Sequence, residues 1–326
     1  LTRRANGSTH APDMTKDHSS WRSERLDDAE VRLTRWGVVG TPVLLFPTAA
    51  GDSEECERMK MVDALSPLMS EGRIKLYSVD SVAGRSWLDK ETPKHQAARM
   101  QNRFDAFVVH EVLPAIRVDC RTSDLDILVA GASIGAYNAL ASICRHPDLY
   151  AAAICLSGTY DLQKKFMDGE GTHDSYISSP LHFLPHMQEG EHLARLRERF
   201  ILLAHGKGRW ESPEESWRVA DALGARGVPN RVDEWGTEWD HDWPTWRKML
   251  PQYLGEFVEK LAEQRKLAPQ AATSVASGAA SKGNSAAASG AATTPKSPQP
   301  GAGIASQDEQ GMAKSAAKSR SAKKSR

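Results

Sequence analysis

The chain lacks most of the features that would place it in a special class. No window approaches the length of a membrane-spanning apolar run. Its opening, LTRRANGSTHAPD, has two arginines but no apolar stretch, which argues against a secretory signal. Only four cysteines occur, Cys56, Cys120, Cys144 and Cys155, with no C-x-x-C and no metal-ligand spacing. Cys144 and Cys155 lie in apolar runs, so they read as reduced core residues of a cytoplasmic protein. A net charge is missing too: 42 Lys and Arg balance 42 Asp and Glu over 326 residues, which points to neither a nucleic-acid protein nor an acidic one as a whole. Leu1 stands where Met would open a chain and Met14 follows, so a later native start is expected. Residues 1–19 are read as a disordered arm.

Large apolar side chains are scarce in the last sixty residues or so. APQAATSVASGAASKGNSAAASGAATTPKSPQPGAG offers almost nothing to offset the entropy of ordering, so 267–326 is expected to be a disordered tail. From Lys266 onward nine Lys or Arg face only Asp308 and Glu309, so this stretch carries +7 and the rest of the chain −7. The tip AKSAAKSRSAKKSR is an electrostatic tether to a polyanion or nucleic acid on one reading, and a solubilising tail on the other. It has no aromatic residue for base stacking, which favours the second.

What is present lies in residues 20–263. AEVRLTRWG alternates apolar and polar residues, as an edge or antiparallel strand would. VLLFP, IKLYSVD, LDILVAG, AAAICLSG, RFILLAHG and NRVDEWG are short apolar or β-branched runs closed by turn residues. Segments of helical period separate them: Glu54–Glu71, His95–Ile116, Ser133–Arg145, Pro213–Arg226 and Trp243–Lys260. Strands spaced by helices imply βαβ units and an α/β domain, with a mostly parallel central sheet and helices on both faces. Ligands bind such sheets outside the carboxyl ends of the strands, which directs attention to the loops there.

Gly131-Ala132-Ser133-Ile134-Gly135 is a G-x-S-x-G between one such strand and a helix. A chain of this composition carries the pattern by accident in roughly one case in seven, so the placement matters more than the motif. At that placement the serine Oγ projects above the sheet, small neighbours let helix and strand approach, and the Ile134 N–H opens the helix beside it. Ser133 is therefore the candidate nucleophile, and Ile134 a candidate oxyanion donor.

A serine needs a base and an orienting carboxylate, which on this fold follow in the order acid, then His. His241, in WGTEWDHDWPTW, lies after the last strand and before the last amphipathic helix, where Pro244 suits the first turn. The DHD triplet has poor spacing for a metal, and neither metal nor cofactor is called for. For the acid, Glu211 closes the loop GKGRWESPEES and Asp161, in GTYD, is its rival. GKG has no following G-K-[ST], so turn glycines account for it better than a phosphate loop. A second oxyanion donor is expected from Thr48-Ala49-Ala50-Gly51-Asp52, with Ala49 favoured.

VLLFPTAAGD, GASIGAYNA, GKGRWESPEES and WDHDWPTWRKMLPQYL together resemble the α/β-hydrolase superfamily. Within it the chain resembles the "putative esterase" branch that includes esterase D (S-formylglutathione hydrolase) and the antigen 85 mycolyltransferases, and in that branch it is similar to small uncharacterised bacterial esterases. The resemblance covers residues 20–260. It implies the α/β-hydrolase fold, a Ser133–Glu211–His241 triad and hydrolysis of a small-molecule carboxyl ester. Pro47-Thr48 departs from the His-Gly common at the oxyanion loop of relatives.

Three function classes stay open: hydrolysis, acyl transfer through the same triad, and binding on an inactive hydrolase fold. Tyr160–Arg195 is too irregular for a sheet element and is read as a lid or a plain insertion. Trp87 and Trp243 are candidate pocket walls or core residues.

Overall fold

The short apolar runs become strands because each buries alternate side chains on opposite faces of one sheet. The computed structural model describes residues 15–122 and 126–279, with only the backbone described for 267–279. Its strands are β1 (Lys16–Ser23), β2 (Ala29–Trp36), β3 (Thr41–Phe46), β4 (Ile74–Val79), β5 (Leu128–Ala132), β6 (Ala152–Leu156), β7 (Phe200–His205) and β8 (Asn230–Glu234). They lie in the order β1-β2-β4-β3-β5-β6-β7-β8. β1 with β2 and β2 with β4 are antiparallel, and every other pair is parallel. The α/β-hydrolase architecture expected from the sequence is thus present.

Helices cover both faces. α1 (Glu55–Arg58), α2 (Met61–Ser70) and, as far as Leu261, α12 (Trp243–Ala279) lie on one. On the other are α3 (Val82–Leu88), α4 (Lys94–Phe107), α5 (Leu113–Cys120), α6 (Ile134–Arg145) and, farther along, α10 (Glu191–Arg197) and α11 (Pro213–Gly224). Between α6 and α10 run the short α7 (Leu162–Phe166), α8 (His173–Ser178) and α9 (Pro180–Phe183). β7 shows the logic of the two cores: Ile201 and Leu203 join the cluster with α6 and α11, while Leu202 and Ala204 join that with α2 and α12. On α12 the stripe Trp246, Met249, Leu250, Tyr253, Leu254, Phe257 and Val258 repeats at helical spacing and is buried.

Several elements differ from the sequence reading. β1 begins at Lys16, inside the arm expected to be disordered, and pairs with β2 in full register although its side chains are mostly polar and exposed. The helix of Glu54–Glu71 breaks before α2, where Lys60 has φ +61°. The stretch His95–Ile116 is not one regular α-helix, and Pro114 lies within it. A π turn, Val108–Val112, precedes Pro114, with the Leu113 N–H bonded to the Val108 carbonyl, so the ladder has already shifted where the proline lacks a donor. Tyr160–Arg195 is largely helical and docked: Tyr160, Leu162, Leu184 and Leu193 are buried in the core. The backbone of α12 runs past Leu267 to Ala279, where alanine favours helix despite low hydrophobicity. Chain contacts close one compact unit at Ala271; of the second unit, from Ala272, only helical backbone to Ala279 is described. Residues 1–14 and 280–326, with the basic tip, lie outside the described residues.

All four cysteines are free, and Cys56, Cys144 and Cys155 are buried. Burial pushes the Cys56 thiol up to about 12 and those of Cys144 and Cys155 up as well, which leaves them inert as nucleophiles. Trp87 and Trp243 are both buried core residues. Among the described residues no helix is long and apolar enough to cross a membrane.

Candidate active site

The sheet directs attention to one place. The connection from β3 runs to β4, whereas that from β5 runs the opposite way to β6, so a crevice opens between the carboxyl ends of β3 and β5. Ser133 stands at the end of β5, at φ +58° and ψ −122°, a strained conformation for a residue with a side chain. Its N–H donates to the Leu156 carbonyl (3.0 Å), and its own carbonyl accepts from Thr159 N–H (3.2 Å). The glycines of the motif answer a steric demand. A Cβ on Gly131 would meet the Gly135 carbonyl at 2.2 Å, and one on Gly135 would meet the Phe46 oxygen at 2.5 Å. Ile134 opens α6, so its N–H has no acceptor within the helix.

Glu211 and His241 come together on neighbouring loops. His241 Nδ1 lies 3.6 Å from Glu211 Oε2, and the Glu211 side chain is 1% exposed against 21% for the histidine. Glu211 Oε1 accepts the Ser157 hydroxyl (2.6 Å) and the Gly206 N–H (3.2 Å). Ser157 Oγ in turn accepts from Trp246 Nε1 (3.0 Å), and the Trp246 ring stands edge-on to His241 with centroids 5.2 Å apart. The two loops are fastened further. His241 N–H donates to the Arg209 carbonyl (3.0 Å), Gly208 N–H to the Trp239 carbonyl (2.9 Å), and Asp240 accepts the Arg209 backbone and guanidinium. The guanidinium, with the Arg209 N–H, holds the Asp240 carboxyl below its ordinary pKa. The glycines of GKG allow this approach, since a Cβ on Gly206 would strike the Trp239 carbonyl at 1.9 Å.

Asp161 is engaged elsewhere. It caps α7, accepting the Lys164 N–H (3.0 Å) and an Arg218 Nη1 hydrogen (3.0 Å). Burial alone would raise its carboxyl pKa, but those two donors outweigh it and hold the group below the usual value. The DHD acids are also occupied, Asp240 by Arg209 and Asp242 by the Trp243 N–H (2.7 Å). Among the described residues no cluster of His, Cys, Asp or Glu could hold a metal ion.

Across the crevice, the loop after β3 is pinned by a residue the sequence reading misses. Glu55 takes both the Thr48 N–H (2.8 Å) and the Thr48 hydroxyl (2.5 Å). Ala49, half-buried, packs against Gly84, where a Cβ would lie 2.5 Å from the Ala49 oxygen. With Thr48 committed to Glu55, the Ala49 N–H is the next amide of this loop, and it donates to no atom among the described residues. Ser157 and Trp246 are likewise missed. The one available signal for Ser157 is its place just past the strand beside the elbow, and for Trp246 a helical stripe that begins near His241.

Comparison with known proteins agrees with this architecture. The family model described as "Putative esterase" matches residues 80–257, more than half of the chain. No curated protein sequence matches significantly. Among solved structures the chain is similar to a ferulic acid esterase, at 18% identity and a TM-score of 0.58, covering 75% of this chain and 97% of that one. An S-formylglutathione hydrolase from Agrobacterium tumefaciens is similar at 12% identity and a TM-score of 0.56, over 75% and 94% of the two chains. Its counterpart from Staphylococcus aureus gives 16% identity and 0.52, over 76% and 98%. At such identities these likenesses speak for the fold.

Proposed function

The chain belongs to the "Putative esterase" family, and from that membership we propose that it is a serine carboxylesterase working through Ser133, His241 and Glu211. The observation that carries the reading is the buried Glu211 carboxylate facing His241 Nδ1 at 3.6 Å, on loops beyond the strands that follow the elbow. Glu211 fixes the tautomer of His241 and stabilises the imidazolium, leaving Nε2 to take the Ser133 proton. Oγ attacks the ester carbonyl, and the Ile134 and Ala49 amides hold the oxyanion of the tetrahedral intermediate. Collapse expels the alcohol, protonated by His241, and leaves an acyl group on Ser133. Water, activated by the same histidine, releases the acid.

Fixed amides suit this step because they need no reorientation as the negative charge develops. A panel of p-nitrophenyl esters of increasing chain length, with Ser133→Ala as control, tests the reading. Turnover should fall by at least ~10³-fold in Ser133→Ala. Unchanged turnover in that variant would exclude Ser133 as nucleophile.

A further inference from the structure

Glu211 is held by more than its histidine, and the chemistry of its partners fixes the direction of the bonding. The indole N–H of Trp246 can only donate and the Glu211 carboxylate can only accept. Ser157 Oγ lies between them, at 3.0 Å from the indole nitrogen and 2.6 Å from Glu211 Oε1. Its lone pair therefore serves Trp246 and its single proton serves Glu211. All three members are shielded from water: Ser157 is 3% exposed, Trp246 4%, and the Glu211 side chain 1%. With the Gly206 N–H also on Oε1, that oxygen is supplied with two donors, while Oε2 faces His241 and has no hydrogen-bond partner among the described residues.

The backbone at Ser157 strengthens the case. Its φ is +46°, in the region where a side chain is costly and glycine is at ease. Ser157 thus presents its hydroxyl to Glu211 from a backbone position that glycine would hold at lower cost. We propose that Ser157 and Trp246 are positioning residues, forming a one-way relay that occupies Oε1 of Glu211 and thereby presents Oε2 to His241. The proposal rests on the Ser–Glu–His reading above, and it assigns a function to a hydroxyl that does not touch the reacting atoms.

Two variants isolate the relay. Ser157→Gly removes the hydroxyl while relieving the backbone, and Trp246→Phe keeps a ring against His241 while removing the N–H. A charge-assisted bond of this kind contributes enough that kcat on a p-nitrophenyl ester should fall about ten- to a hundredfold in Ser157→Gly. KM should stay within about twofold, because substrate contacts are untouched. Trp246→Phe should cost less, and should add nothing in the Ser157→Gly background. The far-downfield proton resonance of His241 Nδ1–H should move upfield in both. An unchanged kcat and resonance in a folded Ser157→Gly protein would overturn the relay, as would losses that simply multiply in the double variant. Ser133→Ala, run in parallel, separates the two levels. If it keeps its turnover, the underlying mechanism falls. If it is inactive while Ser157→Gly keeps the parent kcat, only the relay falls.

Discussion

The two sides of Ser133 are fastened in different ways. Toward β7 and β8, the loops that bear Glu211 and His241 are laced together through Gly206, Gly208, Arg209, Trp239 and Asp240. Toward β3, Glu55 pins Thr48, the Gly51 N–H donates to the Thr48 carbonyl (3.1 Å), and the Gly51 carbonyl accepts from the Ser81 N–H (3.1 Å). The chemistry explains the difference. On the proposed mechanism a buried carboxylate–imidazole pair must keep its alignment while a charge appears on the ring, and misplacement there leaves a charge without its partner. On the same proposal the other side presents an amide that no other group among the described residues claims.

Substitutions that break the rigid side should therefore cost most. His241→Gln should lower turnover by at least ~10³-fold, and Glu211→Gln by about 10²- to 10⁴-fold, both read from kcat on a p-nitrophenyl ester with folding checked by circular dichroism. Asp161→Asn is the counterpart: turnover should stay within about twofold, and equal damage from it would reverse the assignment of the acid. On the β3 side, Glu55→Gln places an amide donor among the Thr48 donors. It should reduce kcat about tenfold, less than the ~10²–10³ that follows outright loss of an oxyanion donor.

Smaller effects sharpen the contrast. Asp240→Asn cuts the exposed Arg209 pair, and turnover should change by less than about threefold because exposed ion pairs contribute little. A loss as large as that in Glu55→Gln would show the surface clamp to matter as much as the buried one. Asp161 also makes a pH prediction. Its folded pKa is held below the ordinary carboxylate value, so its contribution to stability is complete above about pH 4 and fades as pH falls through that range. Thermal midpoints of the parent protein should drop toward acid more steeply than those of Asp161→Asn; parallel curves would refute the linkage.

How much of this can be read in the residues follows from what each position must satisfy. Ser133 is legible because an elbow demands glycines at fixed spacing, and the Gly131–Gly135 contact makes that demand steric. His241 is legible because an amphipathic stripe on α12 marks the loop before it. Ser157 is not, since a serine before a glycine at a strand end has the ordinary chemistry of a turn. Glu55 looks like any acid in a short helix, and only the folded loop shows it reaching back to Thr48. β1 escapes for the opposite reason: KDHSSWRS has almost no apolar face, and backbone pairing with β2 defines it.

That polar first strand has a further consequence. β1 and β8 are the two margins of the sheet, and an open margin is a template on which foreign strands can polymerise. β1 meets a newcomer with Lys16, Asp17, His18 and Arg22, all exposed. β8 meets it with Arg231, paired to Glu256 at 2.9 and 3.0 Å and to Asp233 at 3.0 Å. Any strand adding at either end must strip water from those charges, so the residues that hide β1 from a hydrophobic reading also guard the sheet against aggregation.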